Sequence, residues 1–166
     1  KDILNNESNS LYSNSNHSCK YYDFDSFKEK TEKQTDNMSI LSLNIRSLPN
    51  KWSHFEDFVS NVNSTKFKLS VIGLSEIWNI PFNLNFKLPG YKPLVYKIRD
   101  SSGVNNNAGG GVGLFVDDKF EFEVLENISI FIPHVIETIF IKLKTGKNKF
   151  QIIGNIYRPN TLPHGN

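Results

Sequence analysis

The chain has 166 residues, a net charge of +2 and 38% hydrophobic residues, with 13 Phe and 6 Tyr available for a core. That is room for one domain of ordinary size and too little for two. A pI near 8.6 without a dense Lys/Arg block permits nucleic-acid contact but does not argue for it, and the single cysteine, Cys19, excludes an internal disulfide and a cysteine-based zinc site.

No apolar stretch approaches the ~20 residues that a membrane helix requires, so no membrane partner is expected, and one free thiol fits a reducing compartment. The sequence opens on Lys1 with no basic start ahead of an apolar segment. No signal peptide is read, and a piece of a longer product is expected.

Residues 1–37 form an Asn/Ser-rich leader, expected to be disordered or weakly ordered. Its second part, "KYYDFDSFKEKTEKQTDN", alternates aromatics with charges and fits a short helix or a tail. The domain is expected over 38–166. "MSILSLNIRS" carries Ile40, Leu41, Leu43 and Ile45 as a buried strand. In "LPNKWSHFEDFVSNVN" the period changes: Trp52, Phe55, Phe58, Val59 and Val62 predict an amphipathic helix, with Asn50 as its N-cap after Pro49. "KLSVIGLSE" returns to strand. Strand, helix and strand in this order predict an α/β fold with a parallel pair.

The remainder reads as short strands: "YKPLVYKIR", "GVGLFVDD", "FEFEVLE", "ISIFIPH", "VIETIFIKLKTG" and "KFQIIGNIYRP", separated by Gly, Pro, Asn and Lys. The last two predict a hairpin around Thr145-Gly146-Lys147-Asn148.

The glycine-rich "AGGGVGLFVDD" invites a nucleotide-binding reading. Its spacing rejects it. A dinucleotide fingerprint wants glycines at i, i+2 and i+5, and from Gly109 the third position is Leu114, from Gly111 it is Val116. No Gly-Lys-Ser/Thr follows, and no helix that could hold a phosphate. The glycines are expected to deliver a strand, and glycines there also let a ligand or another backbone approach closely.

Three residues share one kind of address. Asn44 ends the first strand, Glu76 the second and Tyr157 the last, and α/β sheets gather ligands outside the carboxyl ends of their strands. Glu76 and Asn44 on neighbouring parallel strands would suit a hard divalent cation. Each also has a plainer role: Asn as a turn former, Glu as a solvated cap, Tyr as a half-buried aromatic. His17, His54, His134 and His164 share no metal-ligand spacing.

"LSLNIRSL", "LSVIGLSEIW", "LPGYK", "GGGVGLFV" and "YRPN", in this order and spacing, resemble the apurinic-endonuclease-like domain of non-LTR (LINE-type) retrotransposons, in the endonuclease/exonuclease/phosphatase superfamily. The likeness covers about residues 38 to 160. Ile77 stands where Thr is usual, and Asn160 where a second Pro is usual. The resemblance implies a four-layered α/β sandwich, a Mg2+ or Mn2+ cofactor and a DNA-nicking activity that primes reverse transcription. In that frame Glu76 is the metal-ligand carboxylate, Asn44 its neighbour at metal and phosphate, and Tyr157 the contact to the scissile phosphate. Arg46, Arg99 and Arg158 become candidates for DNA phosphates, beside the plainer reading of each as a solvent-exposed charge.

The family's later Gly-Asp-Phe-Asn and Ser-Asp-His motifs do not occur in this sequence. The expectation is therefore an N-terminal half: one helix-flanked mixed sheet with the second sheet largely missing, inactive alone, and followed in its parent by a reverse transcriptase in the nucleus or cytoplasm. Its inner sheet face and edge strand are expected to lack partners. Two other readings stay open. One is a superfamily phosphatase or phosphodiesterase acting on a phosphoinositide, sphingomyelin or an RNA tail. The other is a non-catalytic α/β interaction module in which Asn44 and Glu76 are caps.

Overall fold

The computed structural model describes residues 21–31, 38–63, 67–99 and 109–159. In chain order the elements are α1 (Phe24–Thr31), β1 (Ile40–Asn44), α2 (Leu48–Asn63), β2 (Val71–Ser75), β3 (Val95–Lys97), β4 (Val112–Val116), β5 (Phe122–Val124), β6 (Phe131–Ile132), β7 (Ile136–Gly146) and β8 (Lys149–Tyr157). Helices and strands mix as an α/β protein.

β1 and β2 pair in parallel, from Ile40 opposite Val71 to Asn44 opposite Ser75, with α2 as the crossover between them. β4 adds antiparallel to the other edge of β2 and β3 to β4, giving the order β1-β2-β4-β3. Buried on both faces, β2 has the continuous apolar run of a central strand.

α2 seats Phe55, Val59 and Val62 on one face of this sheet. Its stripe is narrower than the sequence pattern implies. Trp52, at one margin, lies 4.8 Å from the Phe86 ring and 6.1 Å from Phe115, whereas Phe58, at the other, is 41% exposed. The helix also begins earlier than expected. Ser47 Oγ accepts the Asn50 N–H and Ser47 O accepts the Lys51 N–H, so Ser47 is the N-cap and Asn50 lies inside the first turn. Pro49 sits where the missing N–H costs nothing.

The expectation of a missing second sheet is corrected. β7 is the spine of a separate sheet, with β5 and β6 pairing along it and β8 running antiparallel to it from Glu137 opposite Tyr157 to Gly146 opposite Lys149. Long alternating strands can form this sheet by local hairpin pairing, without later chain. Its inner face covers the first sheet: Val71, Val112, Leu114 and Val116 share a core with Ile139, Ile141, Leu143 and Ile153. At about 1.5–3 kcal/mol per fully buried large aliphatic side chain, this interface is a main source of stability. The expected bare inner face is thus covered. The outer face of β8 shows Phe150, Ile152 and Ile156 exposed.

The leader is not wholly without structure. α1 is capped by Asp23, whose Oδ1 accepts the Ser26 N–H, and it packs Phe27 edge-on against Phe67 at 5.6 Å. Residues 1–20 and 32–37 of the leader lie outside the described residues.

Candidate active site

The three strand-end residues named from the sequence come together. Asn44 and Glu76 are brought side by side by the parallel register, and Asn44 Nδ2 donates to Glu76 Oε1 at 2.7 Å. Tyr157 arrives from the other sheet, and its hydroxyl donates to the same oxygen at 2.9 Å. Burial and this carboxylate push the Tyr157 hydroxyl up to about 12. Asn44 Oδ1 meanwhile accepts the Arg46 N–H at 3.2 Å. In this geometry the Asn44 amide nitrogen faces the Glu76 carboxylate and its amide oxygen faces the Arg46 N–H.

The backbone here is unusual. Arg46, Ser47, Glu76 and Trp78 have φ of 46°, 87°, 53° and 62°, and only His134 among other described non-glycine residues is also positive. Such conformations cost about 1–3 kcal/mol each, persist where surroundings over-determine them, and cluster at functional sites. The surroundings are visible. Ser47 N–H donates to Glu76 O at 2.8 Å and Leu48 N–H to Ile77 O at 3.0 Å, tying the turn after β2 to the start of α2.

The glycine-rich stretch holds the other side of the turn. Trp78 N–H donates to Gly110 O at 2.9 Å and Ile77 N–H to Gly111 O at 3.4 Å. Gly110 and Gly111 have φ of 81° and 84°. A Cβ on Gly110 would strike the Arg99 guanidinium, and one on Gly111 would stand 2.8 Å from Ile77 Cγ1. These glycines enter β4, as their spacing implies, and also buttress Glu76 from behind.

Arg99 is not the solvent-exposed charge of the plainer reading. Its side chain is 11% exposed, and Nε donates to Glu137 Oε1 at 2.5 Å while Nη1 meets His134 Nδ1 at 3.1 Å. Glu137 is fully buried, and its Oε2 accepts the Gly111 N–H at 2.5 Å. The charge is spent inside the protein because a buried carboxylate demands a partner. Arg46 and Arg158, by contrast, are exposed beside Asn44 and Tyr157 in the chain, and among the described residues neither has an ion-pair partner.

Sequence reasoning missed Glu137 and Asn155. Glu137 carried a signal, a charge sharing its parity in β7 with Ile139, Ile141 and Leu143, whereas Asn155 shares its parity in β8 with Lys149 and Gln151 and reads as part of a polar face. Among the described residues, no group of three or more His, Cys, Asp or Glu side chains could hold a metal ion, and no helix is long and apolar enough to cross a membrane. No protein-family model and no curated protein matches this chain.

Proposed function

We propose that the chain carries part of the active site of a metal-dependent phosphodiester hydrolase, a DNA-nicking endonuclease of the kind found in non-LTR retrotransposons. One observation carries this: amide and phenol donors, from strands of two different sheets, converge on a single oxygen of Glu76. A merely solvated cap has no need of two buttressing donors. Holding both lone pairs of Oε1, they fix the carboxylate and leave Oε2 as the oxygen available to a cation.

Mg2+ is commonly bound through one or two carboxylates plus water, so Glu76 suits it as a single protein ligand, with Asn44 and Tyr157 as the outer shell that aims it. When bound, such a cation supplies neutralisation of phosphate charge and a more acidic water. The protein's own groups position. Asn44 fixes the rotamer of Glu76, and the Tyr157 hydroxyl, kept protonated across the neutral range, gives its one O–H to the same carboxylate oxygen. Arg46 and Arg158 offer unpaired cations to DNA phosphates on either side. The "NIRSL" stretch from Asn44 and the "YRP" stretch from Tyr157 support a retroelement nuclease over a phosphoinositide or sphingomyelin phosphatase.

Mn2+ binding, followed by water-proton relaxation, tests the reading. Glu76→Gln is expected to abolish binding, and Tyr157→Phe to weaken it by about 10- to 100-fold, the usual effect of an outer-shell partner. Equal Mn2+ affinity in wild type and Glu76→Gln would sink the assignment, and no affinity in either would favour a non-catalytic interaction module.

A further inference from the structure

Glu76 follows a strand of the first sheet and Tyr157 ends a strand of the second, so their 2.9 Å contact depends on how the sheets are offset. The aliphatic interface between them cannot set that offset alone. Hydrophobic contact is non-directional and rewards area removed from water, not a particular sliding position. A displacement on the order of 1 Å is enough to spoil a catalytic constellation.

Two buried polar ties cross the interface at the site end. On β8, two residues before Tyr157, Asn155 is buried, and its Nδ2 donates to Leu74 O at 2.7 Å and to Gly113 O at 3.2 Å. Leu74 lies two residues before Glu76, and Leu74 and Gly113 face each other across β2 and β4. The amide therefore grips both strands of the opposite sheet at one point. Gly73 leaves the space, since a Cβ there would stand 3.2 Å from Asn155 Cγ. On β7, directly opposite Tyr157, Glu137 takes the Gly111 N–H. A leucine would fill the Asn155 position without the desolvation of an amide, about 1–3 kcal/mol if left unpaired. Directional hydrogen bonds supply what packing does not, as single buried polar residues do when they fix register elsewhere.

We propose that Asn155 is a positioning residue that fixes the offset of the two sheets and thereby holds Tyr157 on Glu76. The role rests on reading Asn44, Glu76 and Tyr157 as one site. Its consequence is that loss of the Asn155 amide disturbs a side chain it does not touch, while leaving the apolar core to fold.

Tyrosine-labelled NMR of the full chain tests this, with the Tyr157 signal assigned by Tyr157→Phe. Asn155 hydrogen-bonds neither Tyr157 nor Glu76, so a lost contact between those two in Asn155→Leu reports displacement. In wild type the Tyr157 ring is expected to show nuclear Overhauser contacts to the Glu76 side chain, and in folded Asn155→Leu these are expected to weaken at least about 2-fold. Unchanged contacts in the folded variant overturn the proposal. A wild-type measurement decides if the variant does not fold. The Asn155 side-chain NH2 is expected to exchange with solvent at least about 10-fold more slowly than that of exposed Asn50, and equal rates overturn the proposal. Mn2+ binding is measured in parallel: its absence in wild type defeats the functional reading, while the Tyr157–Glu76 contacts still decide the role of Asn155.

Discussion

Arg99→Met breaks the buried ion pair from one side only. It leaves the fully buried Glu137 carboxylate with the Gly111 N–H as its remaining donor. Removing one partner of a buried pair costs about 3–5 kcal/mol, because the other charge stays uncompensated. Arg99 is 11% exposed, so water reaches the gap and the low end, about 3 kcal/mol, applies. For a chain of this length that is a fall in Tm of about 6–12 °C. Glu137→Leu in the same background removes the orphaned charge, and the double variant is expected to recover most of the loss. Far-UV circular dichroism through thermal and urea unfolding measures both. Arg99→Met within about 0.5 kcal/mol of wild type would refute the burial argument. A double variant as unstable as Arg99→Met would place the cost in the guanidinium's packing over Gly110 instead.

Gly111→Ala forces a side chain into φ of 84° against Ile77 and should cost about 2 kcal/mol or more in urea unfolding, whereas Gly109→Ala, whose Cβ would meet nothing nearer than 3.7 Å, should be near neutral. Ser47→Ala should cost about 1 kcal/mol through the lost cap and Asn50→Ala less than about 0.5 kcal/mol, by the same assay. Burial foremost pushes Tyr91 up to about 12, and Tyr157 is raised likewise. Their folded values lie above the ordinary 10, so the stability they contribute is complete below pH 10 and is lost as pH rises through 12; Tyr91→Phe should flatten that decline in unfolding free energy.

The elements with a strong local period were legible before any coordinates. Ile40 to Val71 read as strand, helix and strand because helix and strand periods differ sharply there, and the β7–β8 hairpin read from alternation around a polar turn. What depended on tertiary partners was not legible. Phe58 has the spacing of a core residue, yet at its margin of α2 it stays 41% exposed. Arg99 looks like any loop arginine until Glu137, 38 residues later, is folded against it. The second sheet was misjudged because alternation reveals which side chains share a face but not which sheet covers that face. Asn44, Glu76 and Tyr157 were found as strand ends, and only the offset of two sheets, held at Asn155, turns three separate addresses into a shared oxygen.

The left-handed backbone after β1 and β2 has a consequence for any attempt to toughen this protein. At φ of 53° glycine is comfortable and glutamate is not, so Glu76→Gly would relax the turn by about 1 kcal/mol or more while deleting the carboxylate. The same holds for Trp78 and for the Arg46–Ser47 step. A library selected only for heat resistance would therefore drift toward glycine at these turns, and its hardiest members would be the ones that had discarded the centre.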